Sequence, residues 1–150
     1  MQNRTTVFYV DDNPKSSRLL ASVLEQCGFR VIANNDPFDA LALCQRTNFD
    51  LALLDYEMPQ MSGAKLAQEI KYLVPDAPVV LISARTSLPP ADMAFVDAHF
   101  GFGTSLDDLL WTLRILTHPR VFAKENHVYS RLGQDLRQDQ RETTRWADST

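Results

Sequence analysis

Leu51-Ala52-Leu53-Leu54 is apolar without alternation and runs straight into Asp55. A strand with one wet face alternates apolar and polar residues. A strand without alternation is buried on both faces, the pattern of a parallel sheet covered by helices. Four more short apolar runs share this character, at residues 6–10, 29–33, 78–83 and 98–102. Between the runs, Leu20, Val23, Leu24 and Cys27 recur at helical spacing, as do Leu66, Ile70 and Leu73. Asp36-Pro37 with Asp39 supplies an N-cap, a first-turn proline and an acidic first turn. Ser105, Asp107 and Asp108 open a last helix that carries Leu109, Leu110, Leu113 and Leu116. Parallel strands need crossover connections, so the pattern predicts an α/β domain with a doubly wound five-stranded parallel sheet, (βα)5, over residues 4–117.

One domain is also what 150 residues accommodate. No apolar stretch is long enough to span a bilayer, and residues 1–6 lack a secretory apolar core, so a cytoplasmic protein without a membrane partner is expected. Residues 1–117 hold nine Lys/Arg against fourteen Asp/Glu, and residues 118–150 hold six against five. Neither part carries a basic stripe fit to track phosphates, which argues against direct nucleic-acid binding. Cys27 and Cys44 lie in half-apolar helical segments without metal or redox spacing and read as packed thiols. Residues 118–150 form a polar C-terminal extension in which Val128, Tyr129, Leu132 and Leu136 are the apolar positions of a short helix interrupted by Gly133. A frayed or docked tail is the simpler expectation, and a dimerising helix that makes a homodimer is the alternative.

The functional signal is carboxylate placement. The first run, Val7-Phe8-Tyr9-Val10, ends on Asp11-Asp12, as the third ends on Asp55. Parallel α/β sheets bind ligands beyond the carboxyl ends of their strands. Two strands delivering three acids to that edge describe a divalent-cation site with a candidate nucleophile. The plainer alternative is that each aspartate merely caps a helix. Three acids together would repel one another unless a cation lies among them. Mg2+, which takes oxygen ligands and keeps waters, suits such a set.

At Asp11-Asp12, at Asp55 through Gly63 (Asp-Tyr-Glu-Met-Pro-Gln-Met-Ser-Gly) and at Ser83-Ala84, the chain resembles the receiver domain of two-component response regulators. The resemblance covers about four-fifths of the chain and implies a flavodoxin-like (βα)5 fold. It implies that Asp55 accepts a phosphoryl group from a histidine kinase or a phosphotransfer protein and that Ser83 contacts that group. It implies Mg2+ held by Asp11, Asp12, Asp55 and the backbone carbonyl of Glu57. It further implies a signal relayed to a downstream protein target through the fourth helix, fifth strand and fifth helix, with His99 as the switch position and Phe100 as the alternative. On this reading the chain is a phosphoprotein of signal transduction and no enzyme.

The chain departs from the family pattern in two respects. The family carries a lysine just after the fifth strand, and this sequence has none between Lys71 and Lys124; the corresponding pair is Phe102-Gly103. The segment between Ser83 and Phe102 is about one helical turn short, and Pro89-Pro90 delays the fourth helix. A pseudo-receiver that binds partners without phosphate is therefore the alternative. A hydrolase using Glu57 as acid/base is a weaker one, since there is no cap domain. Arg85 is either a substitute cation or an exposed loop arginine, Glu57 either a tuning acid or a solvated one, and His99 either a switch or a packed histidine.

Overall fold

The computed structural model describes residues 3–101 and 103–119. Strands β1 (Thr6–Val10), β2 (Arg30–Asn34), β3 (Leu51–Asp55), β4 (Val79–Ile82) and β5 (Ala98–Phe100) form one sheet in the order β2-β1-β3-β4-β5, with every pairing parallel. Along them run helices α1 (Pro14–Gln26), α2 (Pro37–Cys44), α3 (Gly63–Leu73) and α4 (Leu106–Thr117). The compact unit that contains the sheet ends at Thr117. Among the described residues no helix is long and apolar enough to cross a membrane.

Alternate strand residues feed two cores. Phe8, Val10 and Leu54 pack with Ala40 of α2 and with Leu66 and Ile70 of α3. Val7, Tyr9 and Leu53 pack on the other face with Leu24 of α1 and with Leu109 and Leu113 of α4. Both sets of side chains are thus buried in β1, β3 and β4, which is why those runs show no alternation, while the edge strands β2 and β5 are only partly covered. Each fully buried leucine contributes about 1.5–3 kcal/mol. Cys44 is buried and Cys27 half-buried, both as free thiols.

Short polar residues start the helices where the sequence places them. Asn13 Oδ1 accepts from the backbone N–H groups of Lys15 and Ser16, and Pro14 follows it. Asp36 does the same for Phe38 and Asp39 ahead of Pro37. Ser62 Oγ caps α3 through Lys65, and Ser105 Oγ caps α4 through Asp108. Each such cap is worth about 1 kcal/mol. Gly28 ends α1 at φ +96°, a conformation only glycine adopts at little cost.

The five strands and the double winding stand as expected, and the fourth crossover is the departure. A delayed fourth helix is expected there; the described residues hold one 3-10 turn instead, at Pro90–Met93. Pro89 and Pro90 lack backbone donors, and Pro89 is extended at ψ 139°, so the chain enters the turn too late to build an α-helix before β5. The surface expected to relay a signal therefore comprises this turn, β5 and α4. The expected tail helix around Val128 to Leu136 lies outside the described residues, as does Phe102.

The chain passes from β1 outward to β2 and then back to β3 on the other side of β1. At that reversal the connections after β1 and β3 diverge and leave a crevice at the strand ends. Val10 pairs with Leu54, so the next residues, Asp11 and Asp55, emerge side by side.

Candidate functional site

The crevice brings together the three acids singled out in the sequence. Asp11, Asp12 and Asp55 each offer a carboxylate oxygen, and these oxygens lie within 4.8 Å of one another. Asp11 is buried, while Asp12 and Asp55 are half-buried. Beside them a cavity of about 430 Å3 touches Tyr9, Asp11, Asp55, Leu20, Ile82 and Leu106.

Asp11 is held from several directions. Its Oδ2 accepts the hydroxyl of Tyr9 at 2.7 Å, and its Oδ1 accepts the backbone N–H of Asn13 at 2.9 Å. Asn35 donates its Nδ2 to the Asp11 carbonyl at 2.8 Å. Asp55 Oδ1 accepts only a long bond, 3.4 Å, from the Glu57 N–H. Burial, followed by the charge of Asp11 and then that of Asp12, pushes the Asp55 carboxyl up to about 6, against the opposing pull of the Glu57 N–H. Burial, the bond to Asp11 and the charges of Asp11 and Asp55 raise the Tyr9 phenol well above its ordinary range, so it remains protonated.

An all-oxygen set of three acids suits a hard divalent ion. Burial first, and then the neighbouring charges of Asp11 and Asp12, make the ionised Asp55 costly when no cation lies among them. Asp55 is less tethered than Asp11: its carboxylate accepts one long bond, whereas that of Asp11 accepts two short ones.

Ser83 follows β4, beside Asp55 through the Asp55–Ile82 register. It is buried, its N–H donates to the Phe100 carbonyl at 2.9 Å, and its Oγ accepts the Arg85 N–H at 2.9 Å. The Ser83 hydroxyl proton is therefore free to be donated elsewhere. Glu57 and Arg85 form an exposed pair, Arg85 Nε donating to Glu57 Oε1 at 2.8 Å. The arginine is indeed an exposed loop residue, and its partner is the acid two residues beyond Asp55.

His99 sits in β5 opposite Leu81, turned toward Gly101, where a Cβ would stand 3.2 Å from its Cε1. Its Nε2 is buried without a hydrogen-bond partner. Lys71 offers no substitute for the family's lysine. Its ammonium binds the Ala77 carbonyl and Asp97 at the amino-terminal ends of β4 and β5, the opposite edge of the sheet.

Sequence reasoning missed Tyr9, Asn35 and the Arg85–Glu57 pair. Tyr9 was detectable: it lies two residues before Asp11, on the same strand face. The ion pair joins positions 28 residues apart and left no local signal.

Residues 7–102 match the model of the response regulator receiver domain. Sensor histidine kinase RcsC of Escherichia coli is 37% identical over 78 residues, which are 52% of this chain and 8% of that protein. The transcriptional regulatory protein GlrR of the same organism is 33% identical over 98 residues, 65% of this chain and 22% of its own length. The chain thus spans less than a quarter of these two relatives. Among solved structures, the response regulator TrrA of Thermotoga maritima in complex with Mg2+-BeF superposes with a TM-score of 0.70 at 27% identity, covering 75% of this chain and 98% of that one. The motif, the acid cluster and the match over residues 7–102 agree: this chain belongs to the response regulator receiver domain family.

Proposed function

We propose that residues 4–117 are a phospho-receiver in which Asp55 accepts a phosphoryl group from a phosphohistidine of a kinase or phosphotransfer protein. The observation that carries this reading is the convergence of Asp11, Asp12 and Asp55 at the β1/β3 reversal. An Asp55 oxygen attacks phosphorus, a new O–P bond forms, the P–N bond breaks, and the imidazole leaves with its electron pair and takes up a proton. Such transfer depends on positioning and charge neutralisation. Asp11, Asp12, Asp55 and the Glu57 carbonyl would hold Mg2+, which supplies that neutralisation when bound. Ser83 would donate its hydroxyl proton to a phosphoryl oxygen. The neighbour TrrA, described as a complex with Mg2+-BeF and also with the histidine kinase ThkA, supports the same cofactor and partner class.

Without the family's lysine, one charge-assisted hydrogen bond worth about 1.5–3 kcal/mol is forgone. We therefore expect slow labelling rather than none. The test is incubation with acetyl phosphate, with and without Mg2+, followed by intact mass measurement. Wild type gains one phosphoryl mass only with Mg2+, and Asp55→Asn gains none. Wild type that stays unlabelled while an ordinary receiver is labelled alongside overturns the reading.

A further inference from the structure

Tyr9 is 2% exposed within the apolar face formed by Val7, Leu24, Leu53 and Leu109, yet it carries a hydroxyl. A leucine or phenylalanine fills such a place with no polar atom to satisfy, whereas a buried phenol needs a partner. Its partner is Oδ2 of Asp11 at 2.7 Å. An ionised carboxylate only accepts, so the phenol donates. The Asn13 N–H occupies one site on Oδ1, and Asn35 fixes the backbone carbonyl. Donors from β1, from the cap of α1 and from the loop after β2 thus hold this one residue.

The geometry points to Tyr9 as a positioning residue: its hydroxyl holds the Asp11 carboxylate in the orientation that turns its remaining lone pairs toward Asp12 and Asp55, and thereby sets the affinity of the site for a divalent cation. This rests on the Mg2+ reading above and deepens it. The phenol borders the same cavity as Asp11 and Asp55. It supplies a donor without a positive charge, so the three acids keep their full demand for a cation. Partners that orient ligating carboxylates typically matter 10–100-fold in metal affinity.

The experiment is calorimetric titration of Mg2+ into the full chain, wild type against Tyr9→Phe, with thermal unfolding of both in EDTA. Tyr9→Phe keeps the ring in its core and is expected to bind Mg2+ about tenfold more weakly. A merely structural role would lower the metal-free Tm and leave the Kd unchanged, and an unchanged Kd overturns the inference. Wild type that binds no Mg2+ instead overturns the metal site itself, so the two failures are separable. Should the variant not fold, NMR of wild type decides. The Tyr9 hydroxyl proton is expected to shift on Mg2+ addition, and a resonance that does not move overturns the assignment.

Discussion

Arg85 donates its Nε–H to Oε1 of Glu57 at 2.8 Å, tying the loop after β4 to the loop that follows Asp55. The guanidinium also lies 5.5 Å from the centre of the Tyr56 ring, and Tyr56 donates its hydroxyl to Asp92 of the 3-10 turn. Both members of the ion pair are more than half exposed, at 56% and 53%, so the pair adds little to stability. Its consequence is electrostatic: Arg85 cancels the charge of Glu57 two residues from Asp55, which on the proposed phospho-receiver function would otherwise oppose an anionic donor.

Arg85→Ala is therefore expected to slow labelling by acetyl phosphate several-fold at low ionic strength, with unfolding unchanged. The difference should shrink as salt screens the uncovered Glu57. Glu57→Gln should act in the opposite sense. Initial labelling rates at two salt concentrations decide, and equal rates for wild type and Arg85→Ala at low salt refute the argument.

Asp55 sets a pH dependence whose sign is fixed by its raised carboxyl, about 6 when folded against an ordinary 3.8. Between these values the folded state binds more protons than the unfolded one. Metal-free stability must therefore fall as pH rises through that window, and the loss persists above it. Asp55→Asn abolishes the term. In EDTA at pH 7 it should be more stable than wild type by roughly 1–2 kcal/mol, with little gain near pH 4. Mg2+ at pH 7 should stabilise wild type and leave the variant unmoved. Urea titrations at both pH values test this, and no gain in the variant at pH 7 would count against a half-buried Asp55 carboxyl raised beside Asp11 and Asp12.

His99 works in the opposite direction. Burial lowers its imidazole below the ordinary value, so the folded state resists protonation and stability is lost as pH falls through the histidine range. Its Nε2 is buried without a partner, a desolvation cost with no hydrogen bond to offset it. His99→Leu, similar in volume, should raise stability by about 1 kcal/mol at pH 7.5 and by more at pH 5.5. Denaturant midpoints at the two pH values measure it; a variant weaker than wild type at both would show that the ring has a partner.

The sheet and the acids were legible because both are written in short-range pattern. Non-alternating runs mark strands buried on both faces, and the strand-end position of Asp11, Asp12 and Asp55 follows from counting along those runs. The caps at Asp36 and Ser105 are equally local. The fourth crossover was half legible: Pro89-Pro90 announced a late start, but whether one helical turn or three would fit depends on the spacing of β4 and β5. The Arg85–Glu57 pair, the inward turn of His99 and the Lys71–Asp97 bridge are tertiary relationships between distant positions, which periodicity does not encode. Tyr9 was legible in position, two residues before Asp11, but not in role: its ring belongs to the core pattern, and only the reach of its hydroxyl separates it from Val7.

Gly63 shows how closely the loop after Asp55 returns on itself. A Cβ at this position would stand 2.3 Å from the Asp55 carbonyl oxygen and 2.8 Å from the Tyr56 Cα, both backbone atoms without a rotamer to yield. The Gly63 N–H donates to the Tyr56 carbonyl at 2.9 Å, so the close approach is also bonded. Gly63→Ala must push the backbone beneath Asp55, at an expected loss of about 1–3 kcal/mol. Because the displaced carbonyl belongs to Asp55 itself, Mg2+ affinity and acetyl phosphate labelling should fall with it. Gly28→Ala is the control. Its positive φ makes alanine costly by a comparable backbone strain, but nothing lies within 4 Å of the added carbon, and the residue precedes β2 at the far edge of the sheet. The two variants should therefore lose stability alike and differ in metal affinity, as read by denaturant melts and Mg2+ titration. Equal Mg2+ affinity in both would show that the Asp55 loop tolerates the shift.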